Sequence, residues 1–164
     1  MINVLGRIPL RLPKSMLILC ALTLCVADAS DVGSKAFVGH WAYSNDCNLG
    51  HYAELKLVQQ GDSVTGDWSD GSRVEGWDGT LKGRILDRKL IAKYCSTEPN
   101  GGHAVCPSYD VRESDYFTRE GNDLVWYRAV GQGAAISFDK YVVLHPSIKG
   151  KPDPVDGNCP SNEN

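Results

Sequence analysis

Residues 37–95 read FVGHWAYSNDCNLGHYAELKLVQQGDSVTGDWSDGSRVEGWDGTLKGRILDRKLIAKYC, and this stretch determines the architecture that the sequence predicts. Apolar and polar residues alternate along it in short segments, which places successive side chains on opposite faces of extended strands. The pairs that punctuate the segments are typical of turns; they are Gly61-Asp62, Asp70-Gly71, Asp78-Gly79 and Asp87-Arg88. The pattern therefore predicts a β-meander.

The alternation resumes after a loop at 96–109 that is rich in Gly, Pro and Asn, and it continues over 111–119, 123–130 and 135–145. Each predicted strand has one polar and one apolar face, as in an antiparallel sheet that is solvated on one side. Closing such a sheet removes its aggregation-prone edges. We therefore predict an all-β fold: an antiparallel up-and-down meander closed into an eight- or nine-stranded barrel.

The chain divides into three predicted regions. Residues 1–29 have the pattern of a cleaved signal peptide, with a basic beginning, an apolar core at 16–26 and the small residues Ala27 and Ala29 before the cleavage point. A membrane anchor is the alternative, but about a dozen apolar residues are too few to cross a ~30 Å hydrocarbon core. The barrel domain then covers 30–145, and an irregular tail at 146–164 is held by Cys159. The expected location is the periplasm or the medium.

The charge of the exported chain narrows the class of partner. Without residues 1–29 the chain carries 14 basic and 19 acidic residues, a formal charge of −5. Binding to a nucleic-acid backbone needs basic clusters, which this sequence lacks. An acidic surface suits a basic protein partner, although ordinary solubility is the simpler explanation of the charge alone.

Four cysteines remain after the leader is removed, and an even number in an exported chain indicates two disulfides. Three pairings are possible. We favour Cys95–Cys106, which closes the glycine-rich loop, and Cys47–Cys159, which ties the tail to the barrel. The sequence does not by itself exclude the other two pairings.

Gly39-His40-Trp41 resembles the Gly-x-Trp signature of the calycins, the lipocalin and avidin group of eight-stranded meander barrels. Residues 61–68 are similar to the second hairpin of an avidin-type barrel. The resemblance covers 37–95 and implies that Trp41 plugs the closed end of the barrel. The chain departs from lipocalins in lacking a helix after the last strand, and no run matches the biotin-binding residues of avidins. The resemblance therefore implies a fold and leaves the ligand open.

Three tryptophans, Trp41, Trp68 and Trp126, are predicted to point into the barrel lumen. They could line a pocket for a small apolar ligand, or they could fill the interior as in other small barrels. Trp77 lies beside the Asp78-Gly79 pair, where we expect a turn at the rim that is accessible to a partner.

Catalytic and metal-binding patterns are weak. His103 lies between two cysteines, but the spacing is not that of a zinc site, so no metal or cofactor is predicted. Four acidic residues of one predicted hairpin could serve a small hydrolase; they are Asp67, Asp70, Glu75 and Asp78. Exposed turn residues are the simpler interpretation, and no nucleophile motif accompanies them.

The loop between Cys95 and Cys106 is the strongest candidate for a functional element that the sequence offers. A loop closed at its base loses less entropy when a partner orders it. The predicted partner-binding residues are Asn100, Gly101, Gly102, His103, Trp77 and Asp78. We expect a non-enzymatic exported binding protein that engages another protein through barrel-mouth loops, in the manner of an inhibitor or immunity protein against a hydrolase or toxin. The alternative is a carrier of a small apolar ligand in the lumen.

Overall fold

A computed structural model describes residues 35–131, 135–157 and 159 of the 164-residue chain. The predicted signal peptide lies outside the described residues. Every regular element in these ranges is a strand. The strands are β1 Gly39–Asn45, β2 His51–Gln60, β3 Ser63–Gly71, β4 Gly76–Leu86, β5 Lys89–Ser96, β6 Asp115–Glu120, β7 Asp123–Val130, β8 Ser137–Pro146 and β9 Val155–Asp156.

Strands β1 to β8 form the predicted barrel. Each pairs antiparallel with the next, and β8 returns to β1, so the meander is closed. The β1–β8 seam is short, because its register contains only Trp41 opposite Pro146 and Ala42 opposite His145. Further along β1, the two-residue strand β9 pairs parallel with Ser44 and Asn45. The prediction of an all-β closed meander is confirmed, and β9 is an additional strand in the tail.

The alternation of side chains accounts for the core. On β2, Ala53, Leu55 and Leu57 are buried while the residues between them are more exposed, and the same period continues around the barrel. The inward-facing residues form one cluster that fills the lumen. Several of its members are fully buried, and the largest of these are Trp126, Tyr94, Phe37 and Phe117. Burial of this apolar surface is the main stabilising contribution to the fold.

Aromatic packing fills the lumen at one end of the barrel, called the closed end below, and a cavity of about 660 Å³ lies outside this packing, lined by residues that include Phe37, Ile85 and Arg119. Trp41 is 5% exposed and donates a hydrogen bond from Nε1 to the carbonyl oxygen of Phe37 at 3.2 Å. The guanidinium of Arg119 stacks over the Trp41 ring, 4.4 Å from its centroid. Trp41 lies on β1 with its side chain buried in the lumen at the closed end.

The predicted turn at Asp78-Gly79 is wrong. Strand β4 runs without interruption from Gly76 to Leu86, and Trp77 pairs with Asp70 of β3. A Cβ atom at Gly79 would lie 1.9 Å from the carbonyl oxygen of Cys95, so glycine is required there by the close approach of β5 rather than by a turn. The connection between β3 and β4 is instead formed by residues 72–75, so the Asp70-Gly71 pair ends β3 and precedes the turn.

Two other predicted turns are confirmed. Gly61 and Asp62 connect β2 to β3, and Asp87 and Arg88 connect β4 to β5. Both residues of the second pair have positive φ angles, 50° and 63°. A two-residue hairpin whose central residues are both left-handed matches the twist of the flanking strands.

Both predicted disulfides are present. Cys95 bonds to Cys106, eleven residues later, and Cys47 bonds to Cys159, which is separated from it by 112 residues. The tail is therefore attached in two ways, by this disulfide and by the pairing of β9 with β1.

Candidate functional site

The open end of the barrel, called the mouth below, is formed by the connections at 46–50, 72–75 and 97–114 and by the ends of β7 and β8. The alternating period brings polar side chains to the inner face at this end. Asp70 follows Val64, Gly66 and Trp68 on the inward positions of β3, and His51 shares the inward face of β2 with Ala53.

Asp70 is the centre of a network that joins four strands. Its carboxylate accepts hydrogen bonds from His51 Nε2 at 2.8 Å and from the Tyr141 hydroxyl at 3.0 Å, and it also accepts one from Arg128. Burial raises the pKa of the Asp70 carboxyl, but the hydrogen bond from His51 and the charge of Arg128 outweigh burial and lower the pKa. Asp70 is therefore an ionised, firmly held group.

Arg128 is held by aromatic rings as well as by charge. Its guanidinium carbon lies 3.7 Å from the centroid of the Tyr141 ring and 4.8 Å from that of Trp126. Burial lowers the pKa of Arg128, and the neighbouring Asp70 charge more than restores it. Such cation–π contacts are stronger when they are partly desolvated, so the guanidinium is fixed in orientation.

Asp115 is the second buried carboxyl group of the mouth. It accepts a hydrogen bond from Trp126 Nε1 at 2.6 Å, and its distance to Arg128 Nε is 3.9 Å. Burial raises the pKa of Asp115 even though Trp126 and Arg128 act in the opposite direction. The single guanidinium therefore neutralises Asp70 well and Asp115 incompletely.

Two adjoining cavities open at this network. One, of about 330 Å³, is lined by residues that include Trp68, Trp77, His103, Asp115 and Arg128. The other, of about 350 Å³, lies on the other side of Asp70, where His51 and Tyr141 form part of its wall. Asp70, Trp77 and Arg128 line both cavities. Aromatic walls with a few ordered polar groups are typical of binding sites.

The long loop at 97–114 folds over the first cavity. His103 Nδ1 bonds to Asp110 Oδ2 at 2.7 Å, and the amide of Ala104 donates to Asp110 Oδ1 at 2.8 Å. The His103 ring lies against Trp68 and Tyr94, with centroid distances of 5.1 and 4.9 Å. The loop is therefore anchored to the core on its inner side, in addition to its disulfide.

The predicted partner-binding residues divide into two groups. Trp77, Gly101 and His103 meet at the first cavity, and a Cβ atom at Gly101 would contact Trp77. Asn100 and Gly102 are exposed outside it. Asp78 faces outward from β4, where its carboxylate bonds to Thr97.

The three tryptophans predicted in the lumen are all buried there. Trp41 closes the far end, while Trp68 and Trp126 form the floor below the mouth and bond to the Cys95 carbonyl and Asp115. The space between these rings is occupied by the side chains of the core cluster.

The acidic residues of the predicted hairpin do not converge. Asp67 and Asp78 are exposed on the outer face, and Glu75 lies in the exposed β3–β4 turn. Asp70 alone is buried on the inner face. No group of three or more potential metal ligands among His, Cys, Asp and Glu is found in the described ranges.

Sequence reasoning missed most of the network at the mouth. His51, Asp115, Arg128 and Tyr141 were not predicted as site residues, because each is an isolated polar residue within a different strand. The inward positions of the alternation are a signal that identifies three of them, as with Asp70. Tyr141 is the exception, because a register shift at Trp126/Tyr127 inserts it as an extra residue on β8.

Negative charge is concentrated at the mouth. Within 45–51, 70–78, 96–115, 128–131, 135–140 and 155–157 the described chain has ten carboxylates and four cationic side chains. The acidic ones are Asp46, Asp70, Glu75, Asp78, Glu98, Asp110, Glu113, Asp115, Asp139 and Asp156, and the basic ones are Arg73, Arg112, Arg128 and Lys140. At the closed end, the segments 35–38, 61–62, 87–89 and 119–123 contain four acidic and four basic side chains.

Compared with protein-family models, curated proteins and solved structures, the chain matches none. Within the part of the chain that the structure describes, no helix is long and apolar enough to cross a membrane. The site must therefore be interpreted from its own geometry and chemistry.

Proposed function

We propose that this protein is an exported, non-enzymatic binding protein that engages another protein through the mouth of its barrel. The observation that carries the proposal is the preorganised network of Asp70, Arg128 and Tyr141 beneath an aromatic-lined cavity. Ion pairs and ring contacts already fix these side chains, so little entropy remains to be lost when a partner binds.

The anchored loop supports a protein partner. Its inner side is fixed by His103 and Asp110, while residues 97–100 and Gly102 are exposed at the rim. A surface that combines a fixed cavity with an adjoining exposed loop suits insertion of a protruding segment from another protein. The two disulfides are consistent with an exported protein, which the predicted leader would direct to the periplasm or the medium.

We further propose that the barrel is of the calycin type and that the partner is a basic hydrolase or toxin, which the protein inhibits or to which it gives immunity. The concentration of carboxylates at the mouth supports a basic partner, because opposite charge accelerates association. The alternative carrier function ranks lower, because an apolar ligand in the lumen would have to displace core side chains such as Trp68 and Trp126.

Replacing Trp77 with alanine should weaken capture of the partner by at least about tenfold, since a rim aromatic beside a cavity commonly dominates binding energy. The immobilised protein would be incubated with periplasmic or culture extract, and bound proteins would be quantified by mass spectrometry. The matched control is Leu86→Ala, an exposed apolar residue at the closed end. Equal retention of the same proteins by both variants and the unaltered protein would refute the proposed surface.

A further inference from the structure

Two buried carboxyl groups share one guanidinium at the floor of the mouth. The side chains of Asp70 and Asp115 are 10% and 8% exposed. Arg128 donates a hydrogen bond to Asp70, but it lies 3.9 Å from Asp115. Of the two nearby histidines, His51 bonds to Asp70 and His103 bonds to Asp110. Two buried carboxyl groups therefore face one permanent positive charge, that of Arg128.

Two buried hydroxyl groups, those of Tyr94 and Ser114, lie near the incompletely neutralised carboxylate. Tyr94 is fully buried, and the negative charge of Asp115 adds to the burial that raises the pKa of its hydroxyl. The Tyr94 hydroxyl faces the Asp115 carboxylate as a hydrogen-bond donor, and the buried Oγ of Ser114, which lines the first cavity, has no hydrogen-bond partner in the described structure. Buried polar atoms without partners are rare in folded proteins and call for an explanation.

The walls of the cavity favour a cation over an anion. Trp68 and Trp77 present indole rings to it, and the faces of such rings attract positive charge. Arg128 is the only basic side chain other than histidine in the described lining, and Asp70 and the Tyr141 ring already engage it. An anionic group would meet two carboxylates here.

We propose that the mouth accepts one cationic side chain, the ammonium group of a lysine or the guanidinium of an arginine, inserted by the partner next to Asp115. The carboxylate of Asp115 and the hydroxyls of Tyr94 and Ser114 provide acceptors for such a group, and the indole rings provide its walls. The cation completes the charge balance of the buried set. This inference rests on the proposed function and specifies what its partner contributes.

The test uses N-acetyl-lysine methylamide as the probe and follows the indole N–H signals of the ¹⁵N-labelled protein. The Trp126 signal is the reporter, because Trp126 bonds to Asp115. The Trp41 signal is the internal control, because Trp41 lies at the closed end. We expect a saturable shift of the Trp126 signal and a constant Trp41 signal. The neutral isostere N-acetyl-norleucine methylamide and glucose should give no response at the same concentrations.

Asp115→Asn should lower the affinity of the protein for the lysine probe by at least about tenfold, equivalent to about 1.4 kcal/mol of binding free energy. Asp67→Asn removes the same charge from the exposed outer face of β3 and should change the affinity less than twofold.

Binding of the lysine probe to the unaltered protein should also weaken as the pH falls, because a proton on Asp115 competes with the cation. Asp70, Arg128 and Tyr94 face this carboxyl group, His103 lines the same cavity and His51 bonds to Asp70, so the pH dependence that belongs to Asp115 is the part that Asp115→Asn abolishes.

No Trp126 shift with the lysine probe, an equal response to norleucine or glucose, or equal effects of the two asparagine variants would overturn the inference. If substitution of Trp77 weakens partner capture while the lysine probe gives no shift, the proposed binding surface stands and the cation assignment fails. If Trp77 substitution has no effect on capture, the proposed function itself fails.

Discussion

Replacing Cys47 and Cys159 together with serine should lower the free energy of unfolding by about 4–5 kcal/mol. The disulfide joins residues 112 positions apart, so its loss releases most of the barrel sequence from a constraint in the unfolded state. Cys47 is half-buried and Cys159 exposed, so serine at these positions removes little packing. The shorter Cys95–Cys106 loop should contribute less, about 3 kcal/mol in the same chain-entropy treatment.

Urea denaturation measures this loss and identifies its origin. When a cross-link is removed, the unfolded chain expands and exposes more surface, so the dependence of the unfolding free energy on urea should become steeper. Damage to the native state would lower stability without that change in slope. A loss below about 1 kcal/mol would contradict the role assigned to the Cys47–Cys159 bond.

Arg128→Ala should lower the free energy of unfolding by about 3 kcal/mol at pH 7. The substitution removes the guanidinium that lies beside the carboxylates of Asp70 and Asp115, and both are almost completely buried. Removing one partner of a buried ion pair costs about 3–5 kcal/mol, and we take the lower end because a third of the Arg128 side chain is exposed. The matched control is Arg84→Ala, whose exposed pair with Glu113 should be worth less than about 1 kcal/mol.

The effect of Arg128→Ala should depend on pH. In the unaltered protein the lowered pKa of Asp70 stabilises the fold above the unfolded value of 3.8, and this stabilisation is lost as the pH falls through the folded-state pKa. Without Arg128, burial favours protonated carboxyl groups, so the variant recovers stability relative to the unaltered protein as the pH falls from 7 to 4. The measurement is chemical denaturation of both proteins at pH 7 and pH 4. If Arg128→Ala lowers the free energy of unfolding equally at the two pH values, this electrostatic explanation is contradicted.

The sequence predicts the barrel well because its main determinants are local. The period-two alternation of residues such as Val64, Gly66 and Trp68 depends only on neighbouring positions, and so do two-residue turns such as Asp87-Arg88. Gly79 misled the prediction because its role is not local. Glycine there accommodates the carbonyl of Cys95 on the adjacent strand, and a turn glycine and a close-approach glycine look the same in sequence.

Most of the network at the mouth could not be predicted from the sequence, for a different reason. Asp70, Arg128 and Tyr141 come from three strands, and their distances depend on register and on closure of the barrel. Alternation alone indicates that Asp70 and Arg128 face inward, but it does not indicate that they pair. The register shift that brings Tyr141 inside has no clear sequence signal. The aromatic Trp77 and the loop residue His103 were predicted, and the structure brings them together at one cavity.

We propose that the protein binds its partner at the mouth and not at the closed end. A photoreactive benzoylphenylalanine at position 100 or at position 62 tests it most directly, because Asn100 and Asp62 are exposed residues at opposite ends of the barrel. Each labelled protein would be irradiated with the partner captured from extract, and the cross-linked product quantified. We predict a cross-link from position 100 and none from position 62. A cross-link from position 62 alone would contradict binding at the mouth.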